Sequence, residues 1–188
     1  MDEVVARFQK AVNAVDASLH QLGPDDWSRP TPCAEWDVRA LVQHVVNELA
    51  WVEPLVQGRT IAEVGDSLDG DLLGDDPVGA FHHHCRAAHA ALEDPGALTR
   101  TVHLSYGDET ASGYAEQVTG DVLIHAWDLA RGAGLDDELP ADMVAWAAGW
   151  APEVTRMMAG AGMVGEPVEV GPDADPQTAL LGLFGRTR

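Results

Sequence analysis

The segment Asp121-Val-Leu-Ile-His125 sets a carboxylate and an imidazole four residues apart in a stretch with helical periodicity. Side chains at i and i+4 lie on one helical face, so both heads can converge on one cation. A third ligand must come from another element, and His44 is the best candidate. It sits inside the apolar run Val38, Leu41, Val42, Val45, Val46 and Leu49, where a polar ring needs a partner. Three N/O ligands with a fourth position open is the arrangement of a catalytic metal site rather than a structural one. The same residues admit a plainer reading. An Asp–His pair one turn apart is worth only about a few tenths of a kcal/mol as a surface contact, and a His on an apolar face can be a satisfied core residue.

Other polar residues are weaker candidates. Asp128, three after His125, either hydrogen-bonds that ring from behind or is an exposed carboxylate near Arg131. His82, His83 and His84 are consecutive. Neighbours on a helix point about 100° apart, so they cannot share one ion, and a solvated face is expected. His89 shares the face of His82, and His103 lies on an extended segment with nothing to fix it at a site. Nucleophile-elbow, phosphate-loop and dinucleotide motifs are absent from the sequence.

These residues need elements to hold them. Val4, Val5, Phe8, Val12, Val15, Leu19 and Leu22 predict a first helix over about 2–22, closed by Gly23-Pro24. The loop Trp27–Trp36 carries two prolines, two tryptophans and Cys33, and reads as a loop anchored by buried rings. Asp37 is a natural N-cap for a second helix over about 37–57. Residues 58–76 read as a loop with at most a short helical turn. Pro77 opens a third helix, with Phe81, Cys85, Ala88 and Leu92 inward. Thr99–Tyr106 alternates like a strand, and Gly107-Asp108 reads as a turn. A fourth helix over about 111–131 carries Asp121 and His125 and stops at Gly132-Ala133-Gly134. A fifth is expected over about 141–160, then a strand at Val168–Val170 and a short helix over about 176–184.

The 188 residues carry 31 acidic against 11 basic side chains, a formal net charge of −20. Nucleic acids and anionic membranes recruit basic faces, so neither is an expected partner. No apolar run is long enough to span a bilayer, and Met1-Asp2-Glu3 lacks the basic opening of a secretory signal. The expectation is one cytoplasmic domain over 1–188. Its two cysteines, Cys33 and Cys85, are expected to be thiols rather than a disulfide.

Three blocks together resemble a known family. They are Thr31-Pro-Cys-Ala-Glu-Trp-Asp-Val-Arg39 followed by His44, Asp121-Val-Leu-Ile-His-Ala-Trp-Asp-Leu-Ala130, and Leu180-Leu-Gly-Leu-Phe-Gly-Arg186. In that order, over nearly the whole chain, they resemble the actinobacterial branch of the DinB-like proteins, which includes mycothiol-dependent maleylpyruvate isomerases. The resemblance implies a mainly all-α fold: an up-down four-helix bundle with an extra C-terminal helix and one or two short strands. It also implies a divalent ion near one end, zinc in the first place, with nickel or iron as alternatives. The family's ligands are a His on the second helix and a Glu/His or His/His pair four apart on a later one. Those positions fall on His44, Asp121 and His125. Asp121 stands where the isomerase branch has Glu, about 1.5 Å shorter in reach.

The isomerases carry a further C-terminal domain for which 188 residues leave little room, so isomerisation of maleylpyruvate itself is not expected. The resemblance instead implies a thiol-dependent, mycothiol-type transferase or isomerase acting on a small electrophile. Metal-dependent hydrolysis through bound water is the alternative, and an inert bundle serving binding or dimerisation is a third. The implied partners are a small-molecule substrate or a low-molecular-weight thiol, with a homodimer left open.

Overall fold

The computed structural model describes residues 1–159 and 166–188. They form two compact units, Met1–Asp136 and Asp137–Arg188.

The first unit contains the bundle. Helix α1 (Glu3–Leu19) starts where the Asp2 carboxylate accepts the Val4 N–H, and it buries Val4, Val5, Phe8, Ala11, Val12, Val15 and Leu19. Helix α2 (Val38–Val56) starts at Asp37, which accepts the Ala40 N–H at 2.8 Å. A one-turn helix α3 (Ile61–Val64) is held by a reciprocal Thr60/Glu63 cap. Helix α4 (Pro77–Glu93) begins with its proline, where a missing N–H costs nothing. Helix α5 (Ala111–Ala133) is capped by Thr110 and ends at Gly134, whose φ of +73° closes the last turn. Phe8, Leu41, Leu49, Phe81, Leu92, Leu123, Trp127 and Leu129 are fully buried between these helices. Each contributes about 1.5–3 kcal/mol by leaving water.

Helix α1 packs most extensively on α5, and α2 on α4. The two pairs meet along two seams, α2 against α5 and α1 against α4. Chain direction follows from cross-links. Arg7, one turn into α1, meets Glu116, one turn into α5, at 2.9 Å, so these helices run the same way. The segment after α3 retraces α2 backwards. Asn47 donates to the Leu68 carbonyl at 3.0 Å, Gln43 to Gly70 at 3.1 Å and Arg39 to Gly74 at 3.1 Å. Helix α4 therefore begins beside the start of α2 and runs parallel to it, so the helices do not alternate in the simple up-down order expected; the segment between α3 and α4 carries the chain back along α2. The end of α1, the starts of α2 and α4 and the second half of α5 lie at one end of the bundle.

Two short strands, β1 (Thr101–Leu104) and β2 (Gly107–Thr110), pair antiparallel with Val102 opposite Glu109 and His103 opposite Asp108. The turn is Ser105-Tyr106, and the expected turn residues Gly107-Asp108 belong to the second strand. Gly-Asp-Glu-Thr has little intrinsic strand preference; the ladder with β1 makes it one. His103 bonds Asp108 across this hairpin, ring Nδ1 to carboxylate, at 2.7 Å.

The second unit departs from expectation in two places. The single helix expected over 141–160 is two, α6 (Ala141–Ala148) and α7 (Ala151–Ala159); residue 160 lies outside the described residues. Pro152 has no N–H to give the Ala148 carbonyl, and its ring would strike that carbonyl in a continuous helix. Residues 168–170 are irregular rather than a strand, although the Val168 N–H bonds the Gly182 carbonyl at 2.9 Å. Helix α8 (Pro176–Leu183) is capped by Asp175. Trp150 contacts Trp146 and Phe184 edge-on, with ring centroids 5.4 and 6.2 Å apart. Among the described residues no helix is long and apolar enough to cross a membrane.

Candidate metal centre

His44, Asp121 and His125 meet on the α2/α5 seam. Asp121 Oδ2 lies 3.2 Å from His44 Nε2, and Asp121 Oδ1 lies 3.5 Å from His125 Nε2. One ligand-type atom from each of the three falls within 4.8 Å of the others. The i, i+4 spacing on α5 aligns the carboxylate and the ring, and α2 brings His44 against them two turns after its Asp37 cap. His44 is thus neither a lone core histidine nor a surface one; its side chain is 26% exposed.

The other nitrogen of His125 settles the orientation of the ring. Its Nδ1 is 3.0 Å from Asp128 Oδ2, and Asp128 is fully buried. The exposed reading of Asp128 therefore fails. A carboxylate behind a histidine fixes the tautomer, leaving Nε2 directed toward Asp121 and His44. Cys33 completes this layer, its Sγ 3.3 Å from Asp128 Oδ2 and 3.9 Å from His125 Nδ1. Neither Cys33 nor Cys85 is in a disulfide. Burial pushes the Cys85 thiol up to about 12, with the Asp16 charge adding to it, so that half-buried side chain stays a thiol at neutral pH.

Electrostatics couple the pair strongly. Desolvation favours the neutral form of Asp121, but the charge and hydrogen bonds of His125, then of His44, hold it well below the usual carboxylate value. Burial likewise opposes a charged His125, but Asp121, followed by Asp128 and Cys33, raises it well above an ordinary imidazole. Each group thus favours the charged form of the other.

The loop Trp27–Trp36 forms the roof. Trp36 packs at a tilt against both imidazoles, its ring centroid 4.7 Å from that of His44 and 5.7 Å from that of His125. It is half-buried over the site rather than sunk in the core, so the anchoring role expected of it is shared with hydrogen bonds. Thr31 donates to the Trp36 carbonyl at 2.8 Å, and Arg29 donates to the Ala133 carbonyl at 2.6 Å. The loop crosses α5 at Gly132, where a Cβ would stand 3.0 Å from Thr31 Cγ2 and 3.1 Å from the Pro30 carbonyl oxygen.

One residue of this neighbourhood escaped the sequence reading. Glu48 lies one turn after His44 on α2. Burial raises its pKa first, the Asp121 charge raises it further, and the two imidazoles act against both. Its field also reaches Tyr106 and Tyr114, whose hydroxyls burial already pushes up. The Tyr106 hydroxyl donates to Gln117, one turn before Asp121. The available signal was spacing: Glu48 follows His44 by four, as His125 follows Asp121. The run 82–84 does not join this site. His83 and His84 meet edge-on, and His89 pairs with Glu93 at 3.2 Å.

A family model described as the mycothiol maleylpyruvate isomerase N-terminal domain matches residues 8–130, from α1 through most of α5. The chain belongs to this family. Two uncharacterised proteins of Mycobacterium tuberculosis, from strains CDC 1551 / Oshkosh and ATCC 25618 / H37Rv, are each 33% identical to it over 149 residues. The alignments cover 77% of this chain and 77% of each relative. No solved structure matches the chain. The span matched by the mycothiol maleylpyruvate isomerase N-terminal family contains every residue of the α2/α5 cluster, Cys33 and Trp36 included.

Proposed function

We propose that this chain binds a divalent cation, zinc in the first place, through His44, Asp121 and His125, and uses it to present a mycothiol-type thiol to a small electrophile. The observation carrying the reading is the convergence of three N/O ligand atoms with a buried carboxylate, Asp128, behind one of them. Membership of a mycothiol-related family supports the choice of thiol. When bound, the ion lowers the pKa of a thiol in its open position, making the thiolate available at neutral pH.

The chain's own groups supply the rest. Asp128 keeps His125 oriented, with Nε2 toward Asp121. Asp121 contributes the negative charge and His44 the second nitrogen. Trp36 covers the rings and limits water on that side. Glu48, with its raised pKa, is suited to hold the proton that the thiol gives up. The thiolate sulfur then forms a bond to an electrophilic carbon. In a transferase that bond persists, with the leaving group or an added proton closing the balance. In an isomerase it breaks after rotation and the thiol is released unchanged.

The test is zinc and thiol binding by calorimetry on the untagged chain, followed by turnover of a panel of small electrophiles with and without mycothiol. Thiol binding that requires zinc, and is lost in His44→Ala and His125→Ala, is the expected result. Zinc-dependent turnover that added thiol inhibits would replace the reading with hydrolysis by bound water. No zinc binding at micromolar concentration would leave a bundle without metal chemistry.

A further inference from the structure

The second seam of the bundle carries its own histidine–carboxylate cluster. Asp16 lies in the last turn of α1, and His20 follows it by four at the helix end. His82 lies in the second turn of α4. His82 Nε2 is 2.7 Å from Asp16 Oδ1, and His20 Nδ1 is 3.2 Å from the same oxygen. The two imidazole centroids are 5.5 Å apart, and one ligand-type atom from each of the three residues falls within 4.8 Å of the others. None of the three belongs to the α2/α5 seam.

We propose that Asp16, His20 and His82 form a second divalent-cation site that clamps α1 to α4. The donor chemistry is two imidazoles and one carboxylate. That set selects zinc, cobalt, nickel or copper(II) over magnesium and calcium, which prefer all-oxygen shells. Tetrahedral ligands at about 2.0–2.2 Å from an ion lie about 3.3–3.6 Å apart. The His82–Asp16 contact opens by less than about 1 Å to reach that spacing. His20 also bonds the Asp16 backbone carbonyl through Nδ1 at 2.9 Å, and gives up that bond to coordinate. It is the most exposed of the three and ends its helix, so its ring is the one free to turn. The side chains of Asp16 and His82 are each 35% exposed and that of His20 58%, which leaves water able to complete the shell.

The arrangement explains the histidine run. Only His82 faces α1. His83 is exposed, and His84 is half-buried with its charged form disfavoured by burial and by His83. A run read as a solvated tract therefore holds one inward-facing member and two that serve as internal controls.

The experiment is equilibrium dialysis and cobalt absorption spectroscopy on the untagged full chain, using zinc and cobalt alone in the presence of excess magnesium. The parent should bind two equivalents. His44→Ala/His125→Ala should retain the α1/α4 equivalent, whatever the fate of the thiol reading, while His82→Ala and His20→Ala should each weaken that equivalent by about tenfold or more. His83→Ala should leave it unchanged. Helical circular dichroism confirms folding of each variant, and His20→Ala touches the most exposed ligand, so its loss cannot come from unfolding. The site is overturned if His44→Ala/His125→Ala binds no cobalt, or if His82→Ala and His20→Ala bind as the parent does. It is equally overturned if magnesium displaces the ion as readily as from any acidic surface.

Discussion

The His125 ring is where the protein's polar choices concentrate. With Asp121 ahead and Asp128 behind, its charged form is favoured, so a metal competes with a proton for the ring. The signs are fixed by the two shifts. The raised His125 value contributes stability that is fully present below about 6.5 and is lost as pH rises through its folded value. The depressed Asp121 value contributes stability present above 3.8 and lost as pH falls through its folded value. Zinc affinity should therefore climb with pH until the folded His125 value is passed. Calorimetric titrations between about pH 6 and pH 9 check this, and a flat affinity across that range would exclude His125 as a ligand. Asp128→Asn keeps the shape behind the ring but removes the charge, and should weaken zinc by about 10–100-fold without changing the number of ions bound. Trp36 and Trp127 give a second contrast. Trp127→Ala, in the core, should cost about 3–5 kcal/mol in urea unfolding. Trp36→Ala, half-buried, should cost about half of that and mainly change access to the rings. Equal losses would put Trp36 in the core, as the sequence alone had suggested.

Elements decide which of these residues could be read in advance. The convergence of Asp121 and His125 was legible because both share one helix and its period fixes their face. His44 was legible as a polar break in an apolar stripe. Asp128 was ambiguous because its burial depends on the Trp27–Trp36 loop, a contact between segments about a hundred residues apart that no local pattern encodes. Glu48 carried only the weak signal of its spacing from His44: a lone Glu on a helix is by default solvated, and burial on the seam opposite Asp121 makes it otherwise. The break between α6 and α7 does not follow from the apolar periodicity of 141–160, which continues across it; Pro152, which cannot donate to the Ala148 carbonyl, makes it. The loop crossing yields its own prediction. Gly132→Ala favours the helix by about 1 kcal/mol intrinsically, yet its Cβ meets the Thr31 side chain and the Pro30 carbonyl. Overpacking of this kind costs about 1–3 kcal/mol, so the variant should be less stable than the parent and bind zinc more weakly as Cys33 and Trp36 shift. A Gly132→Ala chain more stable than the parent would mean that the loop does not press on α5.

At the scale of the bundle, the polar clusters lie on the two seams that join the α1/α5 pair to the α2/α4 pair, and each spans one seam. An ion on either seam would tie together helices whose packing against each other is the lesser of their contacts, and so would bind the folded chain and not the unfolded one. At a concentration about 100 times its dissociation constant, one such ion stabilises the fold by about 2.7 kcal/mol. For a unit of this size that raises the melting temperature by roughly 6–12 °C. The net charge of −20 offers a competing explanation, because any cation relieves self-repulsion among surface carboxylates. The two differ in which residues matter and in which ions act. Zinc at saturating concentration should raise the melting temperature of the parent well beyond an equal concentration of magnesium. The increment should fall in His44→Ala and in His82→Ala, each losing one seam, and should shrink to the magnesium value in the chain carrying both substitutions. Differential scanning calorimetry of the four chains decides the matter. If the doubly substituted chain gains as much from zinc as the parent, the ions act on the acidic surface and neither seam holds a metal.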